Sequence, residues 1–253
     1  MSEPIVSSLA KALRVLECFT VSEPELGVTE ISKKLGIVKS NAHNIISTYC
    51  QMGYLQQLPN RKYTLGYKLL EHAFIINQHL GYPHAVYDLL LEAAERTGQV
   101  VYFGIPYETD VLYLYVAHPI ARMKELPYRE ICGEHAPLCT TGIGKAILAN
   151  LPPEEWLSRL PEIIPAHTPQ TITDKDKILQ ELQRTRERGF AIDNSEHELI
   201  VRCVGVPVYN ARGALVAGIS SSGAVQVMTD RKVMECADIL MGITQRIKER
   251  LYA

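Results

Sequence analysis

The sequence predicts an α+β fold in two parts: an N-terminal winged helix-turn-helix, then a larger domain with a mainly antiparallel sheet. Three observations carry this. Between Val28 and Met52, two apolar stripes at helical spacing flank Gly36. Directly after them, two short β-type runs are joined across Pro59-Asn60-Arg61-Lys62, a hairpin with a basic tip. From residue 100 onward, strand-like runs mix with amphipathic helices, and two of those runs meet at the turn Asn210-Ala211-Arg212-Gly213.

The first helix is expected over residues 7–19. Leu9, Ala12, Leu13, Leu16 and Phe19 recur at helical spacing there, and Ser7 or Ser8 is placed to cap it. Val28, Ile31 and Leu35 form the stripe of the second helix. Ile45, Ile46, Tyr49 and Met52 form that of the third, which begins near Lys39-Ser40. Tyr54-Leu55 and Tyr63-Thr64-Leu65 are the wing strands. Residues 67–79 read as a connecting helix and Leu80-Gly81-Tyr82-Pro83 as a break. The organisation expected is a winged helix-turn-helix over 1–66, a linker helix over 67–79 and a second domain over 80–253.

In that second domain a helix is expected over 86–96, stopped by Gly98. Strands at 100–105 and 111–117 flank the acidic turn Tyr107-Glu108-Thr109-Asp110, and strand-like sequence returns over 122–131 before Gly133. Thr140-Thr141-Gly142 opens a helix through Ala149, and Pro152-Pro153-Glu154-Glu155 suits the first turn of another. Thr173-Asp174 starts a helix with Ile178, Leu179 and Leu182 inward and Gly189 at its end. Strands follow at 190–193, 202–209 and 214–221, and Thr229 caps a last helix running to Leu251.

A chain of 253 residues accommodates two domains, and its net charge of −2 is unlike that of a protein that coats nucleic acid. The charge is uneven. Residues 1–79 carry eight Lys/Arg against six Glu, and the remainder eighteen against twenty-two acids. A weakly basic reader joined to an acidic module fits this division. No apolar run approaches the roughly twenty residues of a membrane span, so no membrane partner is expected. The start, with its early Glu3 and no extended apolar stretch, is not a secretion leader, which points to the cytoplasm. Six cysteines with no C-x-x-C pair read as free thiols.

A winged helix-turn-helix lays one helix in the major groove while its wing grips backbone, so the expected partner is double-stranded DNA. On the exposed face of the third helix, Lys39, Ser40, Asn41, His43, Asn44 and Thr48 suit phosphates and base edges, asparagine being matched to adenine. Arg61 and Lys62 stand at the wing tip. Residues 27–66 hold a single acid, Glu30, against five basic residues, which argues against an ordinary helical hairpin.

The chain resembles the IclR family of bacterial transcription regulators over essentially its whole length. The N-terminal match is the element order with Arg61-Lys62-Tyr63-Thr64-Leu65-Gly66 and Leu69-Leu70-Glu71. The C-terminal match is Pro137-Leu138 with Thr141-Gly142-Ile143-Gly144-Lys145-Ala146, Glu187-Arg188-Gly189-Phe190 with Asp193 and Glu196, Arg202 through Val208, and Gly218 through Gly223. The resemblance implies a GAF/PAS-like effector domain and DNA binding as a dimer or dimer of dimers. It also implies a pocket for a small carboxylate effector at Gly142, Ile143, Asp193, Cys203, Ser220 and Ser222. One departure stands in the reading helix. The family often has Ser-Thr near its start and an arginine beside His43, where this chain has Ser40-Asn41 and Asn44.

The chemistry of these residues agrees with such a pocket. Gly142 to Gly144 open a helix, whose free N–H groups favour an anion. Ser220 and Ser222 lie two apart on a strand, so both hydroxyls face one way and are expected to donate to a carboxylate. Asp193 would accept from ligand hydroxyls, pointing to a sugar acid or keto acid, and Ile143 adds an apolar wall. The competing reading is an enzyme with Cys139 or Cys203 as nucleophile and His135, His167 or His197 as base. No G-x-S-x-G elbow accompanies it, and no catalysis is expected. Cys132, His135 and Cys139, completed by His118 or His197, lack the paired spacing of zinc sites, so no metal or cofactor is expected. His72 reads as a solvated or interface residue.

Overall fold

The structure, a computed structural model, describes residues 4–122 and 131–251. The chain divides into two compact units, Met1–Leu80 and Gly81–Ala253. The strand-like run expected over 122–131 lies almost wholly outside the described residues.

The first unit holds α1 (Ser7–Glu17), α2 (Val28–Leu35), α3 (Lys39–Gln51), the wing strands β1 (Leu55–Gln57) and β2 (Tyr63–Leu65), and α4 (Lys68–Leu80). Val15, Phe19, Ile31, Ala42, Ile46, Leu55 and Tyr63 close its core. Gly36, at φ 62°, ends α2 in the left-handed region that glycine enters without strain. Leu26 pairs with Tyr63 and so adds a one-residue bridge on the other edge of β2.

Three expectations fail in this unit. Val6, not Ser7 or Ser8, is the N-cap of α1, and no side chain caps it. Leu9 and Leu13 are half exposed while Val15, Cys18 and Phe19 turn inward. A helix apolar on two sides offers two stripes, and this small core has room for one. Met52 is exposed because it sits past the last turn of α3 as its C-cap, and Ala42 takes the inward place.

The second unit holds α5 (Tyr82–Thr97), β3 (Val100–Tyr107), β4 (Asp110–Ala117), β5 (His135–Pro137), α6 (Gly142–Asn150), α7 (Lys175–Arg188), β6 (Ala191–Asn194), β7 (Val201–Tyr209), β8 (Leu215–Ala224) and α8 (Asp230–Arg250). The six strands form one sheet in the order β5-β4-β3-β8-β7-β6, antiparallel throughout. Helices α5 and α8 pack against each other and one face, where the Tyr82 ring meets Phe103 edge-on. Helix α6, backed by α7, lies on the other face. Two glycines seat it. A Cβ on Gly205 of β7 would come within 2.7 Å of the Ile143 nitrogen, and one on Gly218 of β8 within 2.8 Å of the Ile143 side chain.

The break expected over residues 80–83 falls at Gly81, at φ 68° between α4 and α5. Pro83 sits in the first turn of α5, where the N–H it lacks has no helical acceptor anyway, so α5 starts at Tyr82 and not at Val86. Pro153 starts only a 3-10 turn, Pro153–Glu155, followed by a second, Leu157–Arg159, because Pro161 bars any continuation. Trp156 between them is buried and donates its Nε1–H to the Leu151 carbonyl. Strand β5 had no sequence signal, being three residues long and ending in proline. Among the described residues no helix is long and apolar enough to cross a membrane.

Candidate functional site

On the first unit, Ala42 and Ile46 turn inward from α3 and leave Lys39, Ser40, Asn41, His43, Asn44 and Thr48 exposed on the opposite face. No side chain caps the start of α3, so its first N–H groups are open to an anion. Thr48 is less available than its exposure suggests, since its hydroxyl donates to the Asn44 carbonyl at 2.9 Å.

At the wing tip Arg61 is exposed at φ 63°, a left-handed turn secured by Asn60. The Asn60 amide oxygen accepts from the Lys62 N–H, and its amide nitrogen donates to Glu25. Lys62 is not equivalent to Arg61. Its ammonium lies 3.4 Å from Glu30, whose carboxylate also takes the Gly27 N–H at the start of α2. The Gly27 N–H first, then Lys62, holds the Glu30 carboxyl below its usual range. His72 of α4 is likewise not simply solvated. It stacks on Tyr54 and shares a 3.0 Å hydrogen bond with the phenol.

In the second unit, β6, β7, β8 and α6 converge on a cavity of about 280 Å3. All six positions singled out in the sequence line it: Gly142, Ile143, Asp193, Cys203, Ser220 and Ser222. Strand register explains why. Asp193 lies opposite Cys203, and Cys203 opposite Ser222, in one row across three strands. Ser220 lies opposite Gly205 in the next row on the same face.

Thr141 caps α6, accepting the Gly144 N–H on its hydroxyl and the Lys145 N–H on its carbonyl. The N–H groups of Gly142 and Ile143 remain at the helix mouth. Ser220 is 2 % exposed, and its hydroxyl has no hydrogen-bond partner among the described residues. Ser222 differs from the sequence expectation, because its hydroxyl already donates to the Cys203 sulfur at 2.9 Å.

Asp193 accepts the Glu196 N–H at 2.7 Å, and burial pushes its carboxyl up to about 7. Glu196 in turn forms a buried ion pair with Lys145 of α6, their side chains 6 % and 1 % exposed. Thr168 and Thr171 donate to the carbonyls of Ser195 and Glu196, which fixes this segment from the far side. Nothing in the sequence links the two members of the pair, which stand 51 residues apart. Nor did the sequence mark the aromatic wall, Tyr102 against Tyr113 edge-on at 5.7 Å, or the contribution of His135, His197 and Ile200.

The thiols are poorly suited to nucleophilic work. Burial pushes Cys139 up to about 11 and Cys203 well above its ordinary value, and the thiolate is the reactive form. Cys139 sits in the core beside α6, and His135 lies against the Tyr107 ring. Among the described residues no cluster of three His, Cys, Asp or Glu groups is arranged to hold a metal ion.

Comparison with known proteins fits this geometry. The model for the C-terminal domain of the bacterial transcriptional regulator IclR matches residues 80–249, and that for the IclR helix-turn-helix domain matches 8–59. The chain belongs to the IclR family of DNA-binding transcription regulators. It is 32% identical over 232 residues to the HTH-type transcriptional regulator XynR of Escherichia coli K12, covering 91% of each chain. The crystal structure of Thermotoga maritima IclR superposes with a TM-score of 0.77 at 29% identity, covering 98% of this chain and 99% of that one. An IclR homolog from Microbacterium hydrocarbonoxydans, complexed with 4-hydroxybenzoate, has the same fold (TM-score 0.82, 21% identity, 96% of this chain and 99% of that one).

Proposed function

We propose that this IclR-family regulator binds a small organic acid in the cavity beneath α6, and that the acid changes its affinity for an operator in the cytoplasm. The observation that carries this is the convergence of Gly142, Ile143, Asp193, Cys203, Ser220 and Ser222 on one cavity in which a buried serine hydroxyl lacks a protein partner. A polar group so placed is costly unless a ligand or water completes it. The volume is at the small end of ligand cavities, roughly 300–1,000 Å3. Val100, Tyr102, Tyr113 and Ile143 make the walls largely apolar. These walls favour a compact acid with an apolar body over the sugar acid or keto acid suggested by residue chemistry alone. The 4-hydroxybenzoate complex of the Microbacterium homolog is of that kind.

The reading face is α3 with the wing. Lys39, Ser40, Asn41, His43 and Asn44 enter the major groove while Arg61 holds a phosphate. Lys62, drawn toward Glu30, contributes less. A second copy of the chain completes the reader. Ile5, Val6, Leu9 and Leu13 of the N-terminal segment and Leu70, Phe74, Ile75 and Ile76 of α4 are all exposed in the single chain. Paired reading helices match near-palindromic half-sites about one helical turn apart or a multiple of it.

The test is gel-shift titration against an operator fragment selected from random duplexes by the full chain. An acid from a panel of small aromatic, keto and sugar acids should change operator affinity at least about fivefold, the lower end of ordinary allosteric coupling. Operator affinity indifferent to every acid overturns the reading. In the same assay Arg61→Ala should flatten the salt dependence by about one unit of slope and Lys62→Ala by less. Equal effects would show that Glu30 does not hold Lys62 back.

A further inference from the structure

We propose that the two serines of β8 face the ligand with opposite polarity, Ser220 donating to its carboxylate and Ser222 only accepting, so that the cavity selects acids bearing a neutral hydrogen-bond donor about 7 Å from the carboxylate. This rests on the acid-binding reading of the cavity and specifies what the acid must carry.

In one row the hydrogens are already committed. The Ser222 hydroxyl donates to the Cys203 sulfur, and Asp193, next in the row, takes the Glu196 N–H from beyond. A hydroxyl has one hydrogen and two lone pairs. The hydrogen of Ser222 is committed across the sheet to β7, so only its lone pairs are left for the cavity. Beside it stand the Asp193 carboxyl and the Cys203 sulfur. Once Asp193 has ionised, at pH 8, a carboxylate placed against this row would meet acceptors and no donor.

The next row is the reverse. Ser220 stands opposite Gly205, which has no side chain to take its hydrogen, and opposite Tyr102 on β3. The start of α6 lies over Gly205, bringing the Ile143 nitrogen to 2.7 Å from where a Cβ would stand. The Ile143 N–H and the uncommitted Ser220 hydrogen therefore gather at one end of the cavity, and the acceptors at the other. The two ends are one serine spacing apart, about 7 Å along a strand. Ile143 and the Tyr102–Tyr113 pair line the cavity with them. A para-hydroxylated aryl carboxylate meets all three requirements: an anion, an apolar body and a distal hydroxyl. Glu134, His135, His197 and Glu198 also line the cavity, and the two acids add to the penalty on a second carboxylate.

Calorimetric titration of the full chain at pH 8 with benzoate, 4-hydroxybenzoate and terephthalate tests the split. The unaltered protein should bind 4-hydroxybenzoate at least tenfold more tightly than benzoate and terephthalate more weakly than either. Ser222→Ala should cut the hydroxyl preference to threefold or less while leaving benzoate affinity within twofold. Ser220→Ala should weaken both monoacids at least fivefold. Cys203→Ala releases the Ser222 hydrogen and should improve terephthalate binding at least fivefold, which tests the idea even if Ser222→Ala fails to fold. A loss of benzoate affinity in Ser222→Ala equal to that for 4-hydroxybenzoate overturns the proposal, since Ser222 would then donate to the carboxylate. Equal affinity of the unaltered protein for benzoate and 4-hydroxybenzoate also overturns it but leaves the acid reading standing. Binding of none of the three overturns both the split and the aryl-acid form of that reading.

Discussion

Helix α6 buries every residue from Gly142 to Ala149, a lysine among them, whereas α4 buries none of its thirteen, although Leu70, Phe74, Ile75 and Ile76 are apolar and more than 60 % exposed. The periodicity of a helix tells which of its faces is apolar. It does not tell where the covering surface comes from. For α6 the same chain supplies it, with β7 and β8 below, α7 behind and Glu196 to neutralise Lys145. For α4 the first unit supplies one aromatic contact, Tyr54 on His72, and leaves the apolar residues in water. The expected covering is a second copy of the chain.

The contrast is broken most severely at the buried pair. Lys145→Met leaves the Glu196 carboxylate buried without its cation and should cost about 3–5 kcal/mol of stability, measured by denaturant unfolding. The double variant Lys145→Met/Glu196→Leu should recover most of that, because two apolar side chains no longer need each other's charge. A single-variant loss below about 1 kcal/mol would mean that α6 is wetter than its burial indicates.

A smaller effect sits one hydrogen bond away. Burial holds the Asp193 carboxyl at about 7 in the folded chain, against about 4 for an unfolded aspartate. With the folded value raised, the contribution to stability is whole below about pH 4 and is lost as pH rises through 7. Asp193→Asn cannot ionise and keeps an oxygen for the Glu196 N–H. It should therefore gain about 1–4 kcal/mol over the unaltered protein at pH 8 and nothing at pH 4. Parallel pH profiles of thermal unfolding would show that Asp193 ionises as freely as a surface carboxylate.

The mildest change is at α4. Phe74→Glu with Ile76→Glu should leave unfolding of the single chain within about 0.5 kcal/mol, because neither side chain is buried there. Self-association measured by sedimentation should weaken at least tenfold. Undiminished association would assign the face to some other partner.

What was legible in the sequence follows the range of the forces involved. Gly36, Gly98 and Gly189 end helices through their own backbone freedom, and Thr141, Asp174 and Thr229 cap helices a few residues away, so these stops and starts were readable. The turn Asn210–Gly213 and the wing are equally local. The choice between the two stripes of α1 was not, since it depends on how much core the whole unit has. Of the cavity, the six positions were found through family motifs together with the two-residue spacing of the serines. The orientation of the Ser222 hydrogen required the register that puts Cys203 beside it, and the Lys145–Glu196 pair required the closed sheet. Proline misled about where helices start, at 83 and 153, because its cost depends on where in a turn it falls.

The glycines beneath α6 have a bearing on engineering. At Gly205 any side chain would collide with the backbone of Gly142, and at Gly218 with Ile143 and Ile147. The joint between helix and sheet is thus a fixed mount, with no tolerance for substitution. Side chains at Val100, Tyr102, Tyr113 and Ile200 line the same cavity without forming that mount. A biosensor library that seeks a response to a different acid should diversify those four walls and leave 142, 205 and 218 untouched.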